Sequence, residues 1–225
     1  MVSDSNETKV SNEVIKVLIL DFDGVVIESN DVKTHAFRDL FARFPQHAEA
    51  MMDFHRANVS LSRFAKFDYL LSLLGRNGDE KLRVELARDF SQRTIYRMLS
   101  VSFVPGAEDF LQELPGRIPV YLASVTPAED LELILERRGL AGYFQRAYGC
   151  PPWTKPEAIL DILRCELVAP QEVVLVGDSA GDQRAAAQTN IRFVGRDSGL
   201  EFDTRPALVF PDLIGVKEYV EGQLR

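Results

Sequence analysis

Cysteine is scarce: Cys150 and Cys165 are the only two in 225 residues. They form no CxxC pair and have no histidine beside them, so neither a zinc site of the usual spacing nor a disulfide framework is suggested, and a single bridge between the two is the one alternative left. Reduced thiols are the expectation. Positive charge is also in deficit, with 26 Lys and Arg against 34 Asp and Glu and a net charge of -8, the wrong sign for a protein that grips nucleic acid. No apolar run approaches the roughly 20 residues that span a bilayer. Met1 to Glu13 is polar and lacks the basic and apolar regions of a secretory signal. A GxxxxGK[ST] loop is missing, so the chain has no P-loop. There are no internal repeats. These absences point to a cytoplasmic protein with neither a nucleic-acid nor a membrane partner, acting as a monomer or homodimer.

What remains is an ordinary globular mixture, 46% hydrophobic and 27% charged, long enough to bury about 70% of its unfolded surface without covalent staples. Val14 to Leu20 is an apolar run that ends abruptly in Asp21-Phe22-Asp23-Gly24, as a buried strand entering a loop would. The same pattern recurs at Ile118 to Ala123, closed by Ser124, and at Val173 to Val176, closed by Gly177-Asp178. Further strands are expected at Phe144 to Tyr148, Ile191 to Val194 and Ala207 to Phe210. Helical patterns lie between them at Ala107 to Leu114, Pro127 to Arg138, Lys155 to Leu167 and Ser179 to Thr189. Such alternation predicts an α/β fold, a parallel sheet covered on both faces. Ligands then gather at the carboxyl ends of the strands, where Asp21, Ser124 and Asp178 fall.

One block breaks the alternation. From Asn30 to about Ser100 only helical periodicity is visible, in three apolar stripes: Val32 to Phe44, Leu61 to Leu74 and Leu82 to Leu99. Ser29 or Asn30 is placed to cap the first helix. Helices inserted between the first and second strands read as a cap or lid.

The chemistry sits at the strand ends. Asp21 and Asp23 are two apart, so they share one face of an extended chain, and Gly24 permits the turn that follows. Two such carboxylates suit a hard cation or a division into nucleophile and general acid/base, although an Asp-Gly turn alone would look the same. Gly177-Asp178-Ser179-Ala180-Gly181-Asp182 forms a second acidic cluster. Two acidic strand ends in one sheet repel unless a cation or proton lies between them. Ser124 offers a hydroxyl, and Lys155 opens a helix at the end that favours anions, a poor place for a lysine unless it answers carboxylates.

Taken jointly, Asp21-Phe22-Asp23-Gly24-Val25-Val26, Ser124, Lys155-Pro156 and Gly177-Asp178 through Asp182 resemble, in order and spacing, the four motifs of the haloacid dehalogenase (HAD) superfamily. The match covers Val14 to about Val194. The insert resembles the α-helical cap of the phosphoglycolate phosphatase and β-phosphoglucomutase branch, and Val104-Pro105-Gly106-Ala107 looks like its re-entry into the core. The resemblance implies a Rossmann-like core at 14–28 and 101–225, a helical cap at 29–100 and a flexible tail at 1–13. It also implies phosphoryl transfer. Asp21 would attack phosphorus to form an aspartyl-phosphate, and Asp23 would protonate the leaving oxygen and later activate water. Ser124 and Lys155 would steady the transferring group. Asp21, the Asp23 backbone carbonyl and Asp178 would hold Mg²⁺, with Asp182 behind them. Asp23 favours phosphate esters, since dehalogenases of the superfamily replace it.

The expected activity is therefore a Mg²⁺-dependent phosphatase for a small phosphorylated metabolite such as a sugar phosphate. The alternatives are a phosphomutase, which keeps the same motifs, and a non-catalytic phosphometabolite-binding protein. Gly24, Ser124 and Lys155 would meet the substrate. Its remainder is assigned to His55, Arg56, Asn58, Arg63 and Lys66, read as a basic loop between the first two cap helices. Charge is distributed accordingly. Residues 29–100 carry 12 Lys and Arg against 9 Asp and Glu, a net of +3, whereas the rest of the chain carries 14 against 25, a net of -11.

Overall fold

The computed structural model describes residues 14–114 and 116–224; the tail expected over residues 1–13 lies outside the described residues. Six strands form one parallel sheet: β1 (Val17–Leu20), β2 (Val120–Ser124), β3 (Arg146–Gly149), β4 (Val173–Gly177), β5 (Arg192–Arg196) and β6 (Val209–Phe210). Their order is β3-β2-β1-β4-β5-β6. Every residue of β1, β2 and β4 is buried, the pattern of parallel strands covered on both faces. Because side chains alternate along a strand, Leu18 and Leu20 enter one apolar core while Val17 and Ile19 enter the other.

Helices α5 (Ala107–Glu113), α6 (Ala128–Arg137) and α9 (Leu213–Glu221) cover the first of these faces, through Phe110, Ile134 and Val216 among others. Helices α7 (Lys155–Glu166) and α8 (Ala180–Thr189) cover the second, through Ile159, Ile162 and Ala186. The chain leaves β1 toward β3, then returns to the other side at β4. That reversal opens a crevice at the carboxyl ends of β1 and β4. Register sets what lines it: Leu20 pairs with Leu122 and with Val176, so Asp21, Ser124 and Asp178 leave the sheet at nearly one level.

The insert contains four helices, not three: α1 (Asn30–Phe41), α2 (Ala48–Ala57), α3 (Arg63–Leu73) and α4 (Glu80–Met98). They share an apolar cluster of their own, centred on Phe37, Phe41, Met51, Phe67 and Phe90. Helix α2 escapes sequence detection because it is ten residues long, opens at His47 without a side-chain cap, and buries only Met51, Met52 and His55. Its presence corrects the reading of a basic loop. His55 and Arg56 are helical, Asn58 caps α2, and Arg63 and Lys66 lie in the first turn of α3. Among the described residues, no helix is long and apolar enough to cross a membrane.

Candidate active site

Asp21 is placed by its backbone N–H, which donates to the Val176 carbonyl at 2.9 Å. Its carboxylate, with those of Asp178 and Asp182, offers one oxygen to a group whose members all lie within 4.8 Å of one another. All three side chains are buried. Lys155, delivered by the first residue of α7, pairs with Asp21 at 2.8 Å and, more closely, with Asp182. Asp21 Oδ1, the oxygen that faces Lys155, is buried and takes no other donor among the described residues.

Electrostatics follow from this crowding. Burial pushes the Asp21 carboxyl well above the ordinary range; Lys155 opposes the shift, and Asp182, Asp178 and Asp23 add to it. Asp178 is raised to about 6 by burial and then by Asp182. Asp182 is committed elsewhere: Oδ1 faces Lys155, and Oδ2 accepts from the Ser179 N–H at 3.1 Å and its hydroxyl at 2.6 Å, capping α8.

Asp23 does not join the three-carboxylate group; its side chain turns toward the insert. Ser29 donates to Oδ1 at 2.5 Å, and Thr126 donates to Oδ2 at 3.0 Å. The Lys33 ammonium bonds Oδ2 and also Thr126 Oγ1. Ser124 lies 3.3 Å from the same oxygen and accepts from the Thr126 N–H at 3.0 Å. Burial pushes the Asp23 carboxyl up, but the charge and hydrogen bond of Lys33, with Ser29 and Thr126, outweigh it and hold the group below its ordinary value. Ser29 thus spends its hydroxyl on Asp23 and makes no side-chain cap on α1, which corrects the capping expectation. Asn30 donates to Asp178 at 2.7 Å. The first turn of α1 is thereby tied to both acidic strand ends.

Gly24 adopts φ +74, and an added Cβ would stand 1.9 Å from Asp178 Oδ2. Its carbonyl accepts from Arg196 at 3.1 Å, and Arg196 also pairs with Glu28. Gly24 is therefore a close-approach residue between the two acidic loops, and it does not line the cavity above them. Gly24→Ala is expected to cost about 2 kcal/mol or more from the left-handed backbone alone and to displace Asp178. Urea denaturation and a turnover assay on the same preparation check both effects.

A cavity of about 70 Å³ lies over Asp21, Asp23, Lys155 and Asp178. Three of the predicted insert residues, His55, Arg63 and Lys66, line it; Arg56 and Asn58 line a separate surface groove instead. Arg56 is exposed and pairs with Asp53, and Asn58 donates to the Phe54 carbonyl. Arg63 is buried but committed, to Asp130 of α6 and to Ser91 of α4. Ser29, Asn30, Lys33, Thr126 and Asp130 are the site's unanticipated members. Three carried a readable signal: Asn30 and Lys33 are three apart on one helix face, and Thr126 is two beyond Ser124.

The sequence profile of the haloacid dehalogenase-like hydrolase family matches residues 18–196, well over half the chain. No protein with a curated description matches at the sequence level. Among solved structures, β-phosphoglucomutase from Clostridium difficile is 18% identical, with TM-score 0.73, covering 93% of this chain and 96% of its own. A protein described as a predicted phosphoglycolate phosphatase from Haemophilus somnus is 15% identical, with TM-score 0.72 and coverages of 91% and 97%. A magnesium-bound HAD-hydrolase structure from Bacillus subtilis is 14% identical, with TM-score 0.65 and coverages of 93% and 100%. At these identities the likeness is one of fold.

Proposed function

The chain belongs to the haloacid dehalogenase-like hydrolase family, and on that premise we propose that it is a Mg²⁺-dependent phosphatase for a small phosphorylated metabolite. Asp21 carries the reading: a buried carboxylate oriented by the Lys155 ammonium at 2.8 Å, on the wall of a cavity that Asp23 shares. A carboxylate so placed is available as a nucleophile.

In the first half of the reaction Asp21 attacks phosphorus, the ester P–O bond breaks, and the departing oxygen takes a proton from Asp23. In the second, Asp23 takes a proton from water, water attacks the same phosphorus, and phosphate leaves with Asp21 restored. Lys33 holds Asp23 ionised, the state required for the second half; the first half requires Lys33 to withdraw, and Lys33 rides on α1 of the insert. Lys155 fixes Asp21, and Ser124 and Thr126 orient Asp23. We assign residues 29–100 as a cap over a core at 14–28 and 101–225.

The donor set fits Mg²⁺, which prefers hard oxygen ligands. Asp21 and Asp178 would hold the ion with the Asp23 backbone carbonyl, while Asp182 supports them through Lys155 and the α8 cap. When bound, the ion neutralises negative charge on the transferring phosphoryl group.

Free phosphate released from a panel of phosphate esters, with Mg²⁺ or with chelator, tests the proposal. Release should depend on Mg²⁺. Because ligating carboxylates must be ionised and Asp178 sits at about 6, apparent Mg²⁺ affinity should weaken as pH falls below that value. Transfer of phosphate to another position of the same molecule, without release, would make the chain a mutase. No turnover of any ester would leave only a binding role.

A further inference from the structure

Three cations of the insert line the cavity, and two are already neutralised, Lys33 by Asp23 and Arg63 by Asp130. Lys66 is the third. It is 2% exposed, donates to the Val59 carbonyl at 3.0 Å and lies 4.8 Å from the centre of the Phe37 ring. Among the described residues it forms no ion pair with a carboxylate. An ammonium has three donors, so two remain after Val59. Burying such a charge without a counter-ion is unfavourable, and burial followed by Lys33 brings Lys66 down to about 7. The site holds an ammonium with no carboxylate partner among the described residues.

His55 carries a matching vacancy. The Thr34 hydroxyl donates to the Asn30 carbonyl at 3.0 Å and therefore accepts from His55 Nε2 at 3.1 Å. That bond places the ring proton on Nε2. Burial, with Lys66, Arg56 and Lys33 nearby, lowers the imidazole to about 3, so it is neutral. Its Nδ1 is then an acceptor, buried and without a donor. Phe37, Phe90, Ile95 and Met98 supply an apolar part of the wall, beside the polar Ser60 and Thr94.

We propose that Lys66 is the specificity-determining residue of this site, pairing with a carboxylate on the leaving group while His55 Nδ1 accepts from an adjacent hydroxyl. The substrate is then a small phosphorylated hydroxy acid in place of the neutral sugar phosphate suggested by sequence. A carboxylate fits better than a second phosphate. One unneutralised positive charge answers one negative charge, and the further donors a dianion needs are committed at Lys33 and Arg63. This inference rests on the phosphatase reading above.

The test is a matched pair, 3-phosphoglycerate and glycerol 3-phosphate, which share the carbon skeleton, hydroxyl and phosphate and differ in carboxylate against hydroxymethyl. We expect kcat/KM to favour the carboxylated ester by about 10- to 100-fold, the worth of one charged hydrogen bond. Lys66→Met should bring that ratio toward one, and Lys66→Arg should retain most of it. Lys66→Met removes an unpaired buried charge, so it should melt no lower than the parent. Equal rates on the two esters, or a ratio unchanged in Lys66→Met, overturn the assignment. Release of phosphate from p-nitrophenyl phosphate separates the two readings. If it is turned over while the pair is not discriminated, only the Lys66 assignment fails; if nothing is turned over, the phosphatase reading fails with it.

Discussion

Asp21→Asn should lower turnover of p-nitrophenyl phosphate by about 10⁴-fold or more, the scale seen when a nucleophile is removed, while the protein stays folded. Asn keeps the shape of Asp but offers no anionic oxygen to phosphorus. The folded state should not suffer. Asp21 is raised by burial and by three neighbouring carboxylates despite Lys155. A carboxyl raised on folding binds a proton that the unfolded chain has already released, so stability falls as pH climbs from the ordinary carboxylate value through the folded one. At neutral pH without metal, Asp21 is thus a destabilising charge, and the amide removes it. A metal-free thermal melt of the variant at or above the parent, together with lost turnover, is the expected pair of results. Retained turnover would remove Asp21 as nucleophile and the proposed mechanism with it.

The second large effect is on stability. Lys155→Met should destabilise the protein by about 3–5 kcal/mol, as when one member of a buried charge group is deleted, lowering the melting temperature by about 10 °C for a chain of this size. Lys155 has a side chain 8% exposed, and it bonds the carboxylates of both Asp182 and Asp21. Burial lowers its proton affinity, but those two carboxylates outweigh burial and hold it above the ordinary lysine value. The sign matters for the measurement. A lysine raised on folding contributes its full stabilisation at every pH below its unfolded value and loses it only as pH rises through the folded one. Melts between pH 6 and 9 therefore see the whole effect. Without Lys155, three carboxylates within 4.8 Å of one another have no cation between them. Mg²⁺ should then restore more stability to the variant than it adds to the parent, since an ion at 100 times its Kd contributes about 2.7 kcal/mol. A Lys155→Met melt in chelator that matches the parent would show that the cluster needs no internal cation.

The fold was legible where local pattern and tertiary role coincide. Val17–Leu20 is apolar at each position because β1 is the third of six parallel strands, and its end is marked by the change to Asp21. The same holds for β4 and Asp178. Helix α9 went unseen because Asp212 caps it through backbone bonds to Ile214 and Gly215, a signal easily taken for one more loop aspartate. Helix α2 was missed for want of length and a cap. That omission turned His55 and Arg56 into loop residues and spread the substrate contacts over a segment of which only part faces the cavity.

The sequence by itself determined the α/β class and the run of helices between the first two strands, and it put Asp21, Ser124 and Asp178 at strand ends, because these are set by short-range pattern and by which residue follows each apolar run. Only the tertiary structure decided which charges meet. It gave Lys33 to Asp23, Arg63 to Asp130 and Lys155 to Asp21 and Asp182, and it left Lys66 without a carboxylate among the described residues. A net of +3 on the insert says nothing of these choices, since pairing depends on distance and burial after the helices have packed. The two cysteines with which the sequence is so sparing are both free, Cys165 exposed and Cys150 half-buried. The fold is held instead by two apolar sheet faces and the insert's own apolar cluster.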